Sequence, residues 1–360
     1  MADETRTYPL QRPPNHQPPV PRWQLVLPQS TNYVFVACIG VQHHGDGAKW
    51  EMSAVTEVEE TIESWRTSTT GDEPSASERF RCIQGHDRPG SAVWVCYWDR
   101  KEAFDKSLDR LSLSRVHAKL DSSVRHSIGL WSEAFASAVN RLETNYTGTD
   151  YLPGLARLPN AKTEEHTLSA YWGAARDRIP SSAFDRFDPP AQGYTPSTLS
   201  NRDLSQDLTG SSPLNLVHIR SGQYWEACGT DEVQAYETKL EPALESGLQY
   251  LWNNPEETGA MGLRYLRNEE NASATAPETP RKETCVAGFF TNLGKLETWA
   301  HTHRSHLKIY HGALNHAKVF GKERKFRTWH EVSVLETDAA KFRYINCVQG
   351  SGVTGLLPLH

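Results

Sequence analysis

Short apolar runs rich in β-branched and aromatic residues constrain the fold of this sequence more than any other feature. Residues 31–41 (TNYVFVACIGV) and 91–98 (SAVWVCYW) are bounded by turn residues and predict buried strands. Between them, residues 50–67 have the pattern of a helix. The polar stretch 67–78 contains Gly and Pro and predicts a surface loop. The chain is therefore expected to mix helices with buried strands.

The last third of the chain repeats this order of elements. Residues 286–303 parallel residues 93–108, because in both an apolar strand ending in aromatic residues precedes a polar turn and a helix. Residues 330–347 predict a further alternating strand and its continuation. The polar stretches 185–213 and 267–284 are predicted to be long surface insertions. We expect an α+β fold of two ferredoxin-like halves that arose by duplication.

The central part of the chain predicts a strand followed by a long helix. Residues 217–228 have the strand pattern, and residues 231–252 have a helical pattern that ends before Pro255. Ser221 is then expected where the strand ends. A side chain at that place can be presented to a pocket.

Proline dominates residues 7–22, which excludes a regular helix or a central strand there. We expect residues 1–22 to form an arm that runs extended over the surface, against a neighbouring subunit. Residues 23–360 are predicted to form a single domain. Its two halves would cover roughly residues 23–200 and 201–360.

Composition and the lack of certain motifs exclude several classes of protein. No run approaches the roughly 18 apolar residues that span a bilayer, and the first residues lack the apolar centre of a secretory signal. We therefore expect a cytoplasmic protein. The net charge of −6 argues against nucleic acid as a partner. Without a Gly-rich phosphate loop or a Gly-x-Ser-x-Gly motif, nucleotide-dependent and α/β-hydrolase functions are disfavoured.

The six cysteines are scattered and have neither a disulfide framework nor paired zinc spacing. Reduced, mostly buried thiols are expected. The sequence also lacks Cys-x-x-Cys-His, the motif for covalent haem attachment. Any haem would be held by an axial ligand and by packing.

Five histidines lie within sixteen positions of one another near residue 310, which is the densest local signal in the sequence. Histidine is the commonest metal ligand and the usual proximal ligand of haem. A closed zinc site needs about four regularly spaced ligands, which this segment does not provide. A haem ligand, solvated histidines and a zinc site all remain open. The five are His301, His303, His306, His311 and His316.

Two further candidates are ambiguous from the residues alone. His330, in FRTWHEVSV, begins a strand and fits a core or turn histidine as well as a catalyst. Arg176 and Arg178 are two positions apart and should point in opposite directions, so that one is buried and the other faces solvent. The spacing does not say which.

Six short motifs spread through most of the chain resemble the aldoxime dehydratase family, which includes the phenylacetaldoxime dehydratases. In that family a pair of ferredoxin-like units of the dimeric α+β barrel type holds a non-covalent haem b, usually in a homodimer. The resemblance implies the same fold, cofactor and assembly here. The motifs are YLPG (151–154), YWGAARDRIP (171–180), LVHIRSGQYW (216–225), SHLKIY (305–310), WHEVSV (329–334) and YINC (344–347).

The resemblance also assigns roles to individual residues. His306, in SHLKIY, corresponds to the proximal ligand of the haem iron. Ser221 and Arg178 correspond to polar groups on the distal side, and His330 to the catalytic acid and base. Glu143, in RLETNY, resembles the carboxylate that orients this histidine.

The implied reaction converts an aldoxime to a nitrile and water after the aldoxime nitrogen binds ferrous haem directly. A haem peroxidase-like enzyme and a non-catalytic haem-binding module on the same barrel are the alternatives. Family members often have an aromatic residue shortly after the proximal ligand, where this chain has Gly312, Ala313 and Leu314. Loops at 185–213 and 312–328 are expected to shape the pocket. Aryl, arylalkyl and aliphatic aldoximes therefore all remain open as substrates.

Overall fold

Thirteen strands form one antiparallel sheet in the part of the chain that the computed structural model describes, residues 6–45, 47–189, 206–270 and 281–360. They are β1 Arg22–Val26, β2 Tyr33–His43, β3 Ala76–Gly85, β4 Ala92–Trp98, β5 Ile128–Ala138, β6 Leu142–Tyr146, β7 Lys162–His166, β8 Asp207–Ser211, β9 Val217–Tyr224, β10 Ala260–Asn268, β11 Glu283–Phe290, β12 Arg327–Val334 and β13 Ala340–Ile345. Their order in the sheet is β7-β1-β6-β12-β9-β11-β10-β3-β4-β2-β5-β13-β8.

Ten α-helices accompany the sheet within these described ranges, which confirms the predicted mixture of helices and strands. Within the same ranges, none is both long enough and apolar enough to cross a membrane. The helices are α1 Lys49–Arg66, α2 Lys101–Leu111, α3 Leu113–Lys119, α4 Ser122–Arg125, α5 Ala174–Arg178, α6 Thr230–Ala235, α7 Glu241–Asn253, α8 Pro255–Thr258, α9 Leu293–Thr302 and α10 Arg304–Phe320.

The two apolar runs of the first third form the buried strands β2 and β4, as predicted. Alternate residues of β4 belong to different hydrophobic cores, with Val93 and Val95 in one and Trp94 and Cys96 in the other. Because both faces of the strand are covered, its sequence is continuously apolar and does not alternate with polar residues.

The predicted helix at 50–67 is α1. The loop predicted at 67–78 is shorter than expected, because β3 begins at Ala76 and pairs with β4 there, Ala76 lying opposite Tyr97. The predicted repetition of a strand, a turn and a helix is present, since β4 leads into α2 and β11 leads into α9. Residues 330–347 supply most of β12 and all of β13, also as predicted.

The long helix predicted at 231–252 is interrupted. A π-helical turn at Tyr236–Leu240 lies between α6 and α7. Pro242 at the start of α7 explains the interruption, since proline lacks an amide hydrogen and its ring clashes with the carbonyl four residues earlier. The predicted end is right, because α7 stops at Asn253, before Pro255.

The two predicted insertions lie partly outside the described residues. Positions 190–205 of the first and 271–280 of the second are not described. Within 185–213, strand β8 pairs with β13 at the edge of the sheet.

The N-terminal arm is extended, as the prolines predict. Residues 6–20 form no helix or strand, and β1 begins at Arg22. The arm lies against its own chain, where the amide of Tyr8 donates a hydrogen bond to the carbonyl of Ala183 at 3.0 Å. The predicted contact with a neighbouring subunit stays a prediction.

Candidate active site

A cavity of about 720 Å³ lies between one face of the sheet and helices α7, α9 and α10. A concave, mostly apolar site with a few convergent polar groups is the usual form of a pocket for a small molecule or a cofactor. All five residues singled out in the sequence line this cavity: Glu143, Arg178, Ser221, His306 and His330. The apolar lining includes Ile219, Val286, Val332, Leu244, Leu248, Phe290, Leu296 and Ile309.

Strand register brings the polar residues of the sheet together. In β12, His330 lies directly opposite Ser221 of β9 and Asn145 of β6. Two positions along, Val332 lies opposite Glu143. Since alternate residues of a strand share a face, these side chains all reach the cavity.

The prediction that Ser221 ends its strand is wrong. It lies in the middle of β9, which continues to Tyr224. The continuation is stabilised from both sides, because Gln223 pairs with Thr284 of β11 and with Thr328 of β12. Ser221 is therefore held on a rigid strand and not on a loop.

A compact charged group lies at one wall of the cavity, which we call the polar wall. It consists of Glu143, Arg178 and His330. Arg178 Nε donates to Glu143 Oε2 at 2.8 Å, and Arg178 Nη2 donates to His330 Nε2 at 3.0 Å. Glu143 Oε1 lies 3.0 Å from the same ring nitrogen. His330 Nε2 therefore has an acceptor nearby when it is protonated and a donor nearby when it is not. Such an imidazole is suited to act as both acid and base.

Electrostatics keep Glu143 ionised in this group. Its side chain is fully buried, which by itself would raise the pKa, but the Arg178 cation and His330 outweigh burial and lower the pKa of Glu143 to about 2. Glu143 therefore stays negatively charged beside His330.

The two arginines of α5 point in different directions, as their spacing predicts. Arg178 is buried and also donates to the carbonyl of Leu168 at 2.6 Å. Arg176 is more exposed and forms an ion pair with Glu297 at 2.6 Å. Arg178 is thus the member of the pair that belongs to the site.

His306 is in the first turn of α10 and lies on the helical side of the cavity. Its Nδ1 donates to the carbonyl of Ala300 at 2.7 Å, which leaves the lone pair on Nε2. Burial lowers the pKa of His306 and favours the neutral ring. A neutral imidazole with its other nitrogen bonded to a backbone carbonyl is the arrangement of an axial haem ligand. The donor atom and the apolar cavity therefore fit a haem.

The other histidines of the cluster have separate surroundings. His301 stacks on Trp172, with ring centroids 4.8 Å apart, and also lines the cavity. His303 caps α10 and stacks on Tyr250, His311 is exposed, and His316 is buried beside Arg324. Among the described residues, no group of His, Cys, Asp and Glu is arranged to hold a metal ion by itself.

Several lining residues were not found from the sequence. Asn145 and Gln223 lie two positions from Glu143 and Ser221 and could have been inferred from strand alternation. Arg22 of β1 carries no motif that would have identified it. The expected loop at 312–328 is also wrong for its first part, because α10 extends to Phe320 and presents Ala313 and Leu314 to the cavity.

A second charged group lies on the opposite face of the same strands. Arg220 is fully buried, and its Nη1 is 2.6 Å from both Glu78 Oε2 and the hydroxyl of Tyr97. That hydroxyl donates to Glu331 Oε2 at 2.9 Å, and the amide of Leu155 donates to Glu331 Oε1 at 2.6 Å. Burial raises the pKa of Glu331 to about 7, even with Arg220 nearby.

Known proteins resemble this chain along nearly its whole length. A phenylacetaldoxime dehydratase of Bacillus sp. (strain OxB-1) is 28% identical over 350 residues, covering 96% of this chain and 93% of the relative. An aliphatic aldoxime dehydratase of Pseudomonas chlororaphis is 26% identical over 348 residues, covering 97% and 94%. The fold matches a crystal structure of an aldoxime dehydratase in complex with butyraldoxime, with a TM-score of 0.82 and 24% identity over 98% of this chain and 94% of that one.

The sequence profile of a family described as haem-containing dehydratase matches residues 37–353. This range includes all five predicted site residues and most of the described sheet. It follows that the chain belongs to the haem-containing dehydratase family.

Proposed function

We propose that this chain is a haem-dependent aldoxime dehydratase, which converts small aldoximes to nitriles and water. The observation that carries the proposal is the placement of a neutral histidine, His306, and a charged acid-base group, Glu143, Arg178 and His330, around one mostly apolar cavity. The names of the similar proteins from Bacillus and Pseudomonas support the aldoxime as substrate.

His306 would hold the haem through Nε2, and the apolar side chains of α7, α10 and the sheet would pack against it. When bound in the ferrous state, haem supplies a coordination site for the aldoxime nitrogen and electron density for cleavage of the N–O bond. The absence of an internal partner for Nε2 among the described residues supports this role for His306.

The remaining residues would move protons and hold the oxygen. Ser221 and Arg178 bind the oxime oxygen, and protonated His330 donates to the departing hydroxyl, which leaves as water. Because Nε2 of His330 faces Glu143 and Arg178, Nδ1 is the nitrogen available for this transfer. The neutral ring then takes the proton from the aldoxime carbon through Nδ1. Glu143 accepts a hydrogen bond from Nε2 while this nitrogen is protonated, which is how a carboxylate supports a catalytic histidine.

We also infer that the chain consists of two ferredoxin-like halves, roughly residues 23–200 and 201–360, of the dimeric α+β barrel type. The strand order supports this inference, since β5-β2-β4-β3 and β12-β9-β11-β10 are equivalent orders of four successive strands. Strands β10 and β3 pair where the halves meet.

A homodimer in the cytoplasm is the assembly and location that we propose. All six cysteines are free and four of them are buried, which suits a reducing compartment. Sedimentation of the haem-loaded protein would determine the assembly.

The function is tested by incubating haem-loaded protein with phenylacetaldoxime and with a short aliphatic aldoxime, anaerobically, with and without dithionite. We expect nitrile only after reduction. Rapid peroxide turnover without nitrile would indicate a peroxidase-like enzyme. Haem binding without either reaction would indicate a binding module, and failure to take up haem would contradict the proposal at its first step.

A further inference from the structure

The N-terminal arm is fastened to the residue that precedes Arg178. The carboxylate of Asp177 accepts hydrogen bonds from the amide of Gln11, at 3.1 and 2.9 Å to its two oxygens, and from the amide of Arg12 at 3.0 Å. The hydroxyl of Tyr171 donates to the same carboxylate at 2.8 Å. Asp177 is buried, so these charge-assisted bonds are protected from water. We call Asp177 and the two arm amides the clasp.

Beyond the clasp, the arm supports the outside of one cavity wall. His16 Nε2 lies 2.7 Å from the carbonyl of Ser169, and its ring meets that of Tyr171 edge to face at 5.0 Å. Gln11 lies against Gly173, where an added Cβ would be 2.2 Å from its Oε1. Since residues 169–175 line the cavity, most of the arm lies behind this short segment, and Gln11 alone among its contact residues also reaches the cavity.

Residues 169–178 contain little regular structure that could stabilise them without outside contacts. Helix α5 is only five residues long, which is too short to be stable alone. Its last residue, Arg178, nevertheless reaches the carbonyl of Leu168, Glu143 and His330 at the same time, at 2.6, 2.8 and 3.0 Å. A displacement of the helix would therefore break these three contacts of Arg178.

We propose that Asp177 is a positioning residue for Arg178, and that it acts by clasping the N-terminal arm against the wall of the cavity. The proposal rests on the proposed function, in which Arg178 holds the oxime oxygen. The arm then contributes to turnover although, apart from Gln11, none of its residues that make these contacts lines the cavity. A misplacement of about 1 Å in a catalytic group costs roughly a hundredfold in rate, so partial loosening should have a measurable effect.

The test compares haem-loaded variants in turnover and in amide hydrogen exchange. We expect Asp177→Asn to keep the haem spectrum, to lower kcat about tenfold and to change KM by less than about twofold, since the loss concerns alignment during the reaction. The amides of Gln11 and Arg12 should exchange faster. Asp177→Glu, which keeps the carboxylate, should recover kcat to within about threefold of wild type. Asp207→Asn is the matched control, because it removes an exposed carboxylate paired with Arg343 at the far edge of the sheet.

A second pair of variants tests the clasp from the side of the arm. Arg12→Pro removes the amide hydrogen that Asp177 accepts, whereas Arg12→Ala keeps it. We expect only the proline variant to lower kcat, and its effect should not add to that of Asp177→Asn.

Different results overturn different statements. Unchanged exchange in Asp177→Asn would overturn the clasp. Faster exchange with unchanged kcat and KM would overturn the positioning role. Wild-type protein that binds haem and forms no nitrile would overturn the proposed function and the role in turnover with it, and the exchange data would still decide whether the clasp exists.

Discussion

His330 and Glu331 are neighbours in β12, yet their side chains lie on opposite faces of the sheet. His330 reaches the cavity, whereas Glu331 is buried on the other face with Tyr97 and the amide of Leu155. One strand therefore places an ionisable side chain in the cavity and another in the buried core on the other face. Variants of His330 and of Glu331 can test these two environments independently.

Glu331 should make the protein less stable as the pH rises. Its pKa is raised from 4.5 to about 7 in the folded state, so the folded protein binds the proton more tightly than the unfolded one in this interval. The contribution of Glu331 to the free energy of unfolding therefore falls between pH 4.5 and 7. Urea denaturation should show Glu331→Gln gaining stability relative to wild type from pH 5 to 8. A difference that is constant over this range would contradict the raised pKa.

Glu143 should act in the opposite direction and at lower pH. Its pKa is lowered from 4.5 to about 2, so its stabilising contribution is complete above pH 4.5 and is lost as the pH falls toward 2. At pH 7, Glu143→Gln leaves the buried Arg178 without its carboxylate, which should cost about 3 to 5 kcal/mol. Denaturation at pH 7 and pH 3 should show this difference shrinking at the lower pH. Equal differences at both values would refute the assignment.

His330→Ala should separate haem binding from catalysis. We expect the variant to retain haem and to bind aldoxime, while turnover falls about 10² to 10⁴-fold through loss of positioned proton transfer. Haem content, spectral titration with aldoxime and initial rates measure the three properties. Near-normal turnover would remove His330 from the acid and base role.

His306→Ala should remove the proposed axial ligand and leave the polar wall on the other side of the cavity unchanged. The variant is expected to lose haem or to bind it with an altered spectrum, because the neutral Nε2 is missing. Added imidazole should partly restore the spectrum by occupying the space of the missing ring. An unaltered spectrum in the variant would mean that another residue ligates the iron.

Ser221→Ala tests the strand partner of His330. Losing one hydrogen bond to the oxime oxygen should weaken binding and slow turnover, by about tenfold in kcat/KM. Steady-state kinetics with haem-loaded protein give the value. Thr209→Ala, at the remote β8 edge, is the control, and kinetics identical to wild type in Ser221→Ala would show that the hydroxyl does not contact substrate.

Local patterns were enough to predict much of the fold. The buried strands β2 and β4 follow from their apolar runs, and helix α1 from its spacing. The position of Ser221 was mispredicted because the length of β9 is determined by its partners β11 and β12, which no local pattern records. The π-helical turn before α7 had a sequence signal in Pro242, but the prediction did not use it.

The candidate site was predictable where short motifs carried it. His306 could not be chosen from the five neighbouring histidines by spacing, and the resemblance selected it. The bonds between Asp177 and the amides of Gln11 and Arg12 had no signal at all, because a backbone amide is present at almost every position and the partners are more than 160 residues apart.

The cavity has two kinds of wall, and this division affects how such a protein can diversify. The proposed proton-transfer groups and Ser221 are on strands and on α5, whereas α7 and α10 contribute apolar side chains such as Leu244, Leu248 and Ala313. Substitutions on these helices can alter the shape of the space while the reacting groups keep their places. A single substitution at one of these apolar positions can therefore change which substrates fit, while Ser221 and the charged group on the sheet and α5 remain as they are.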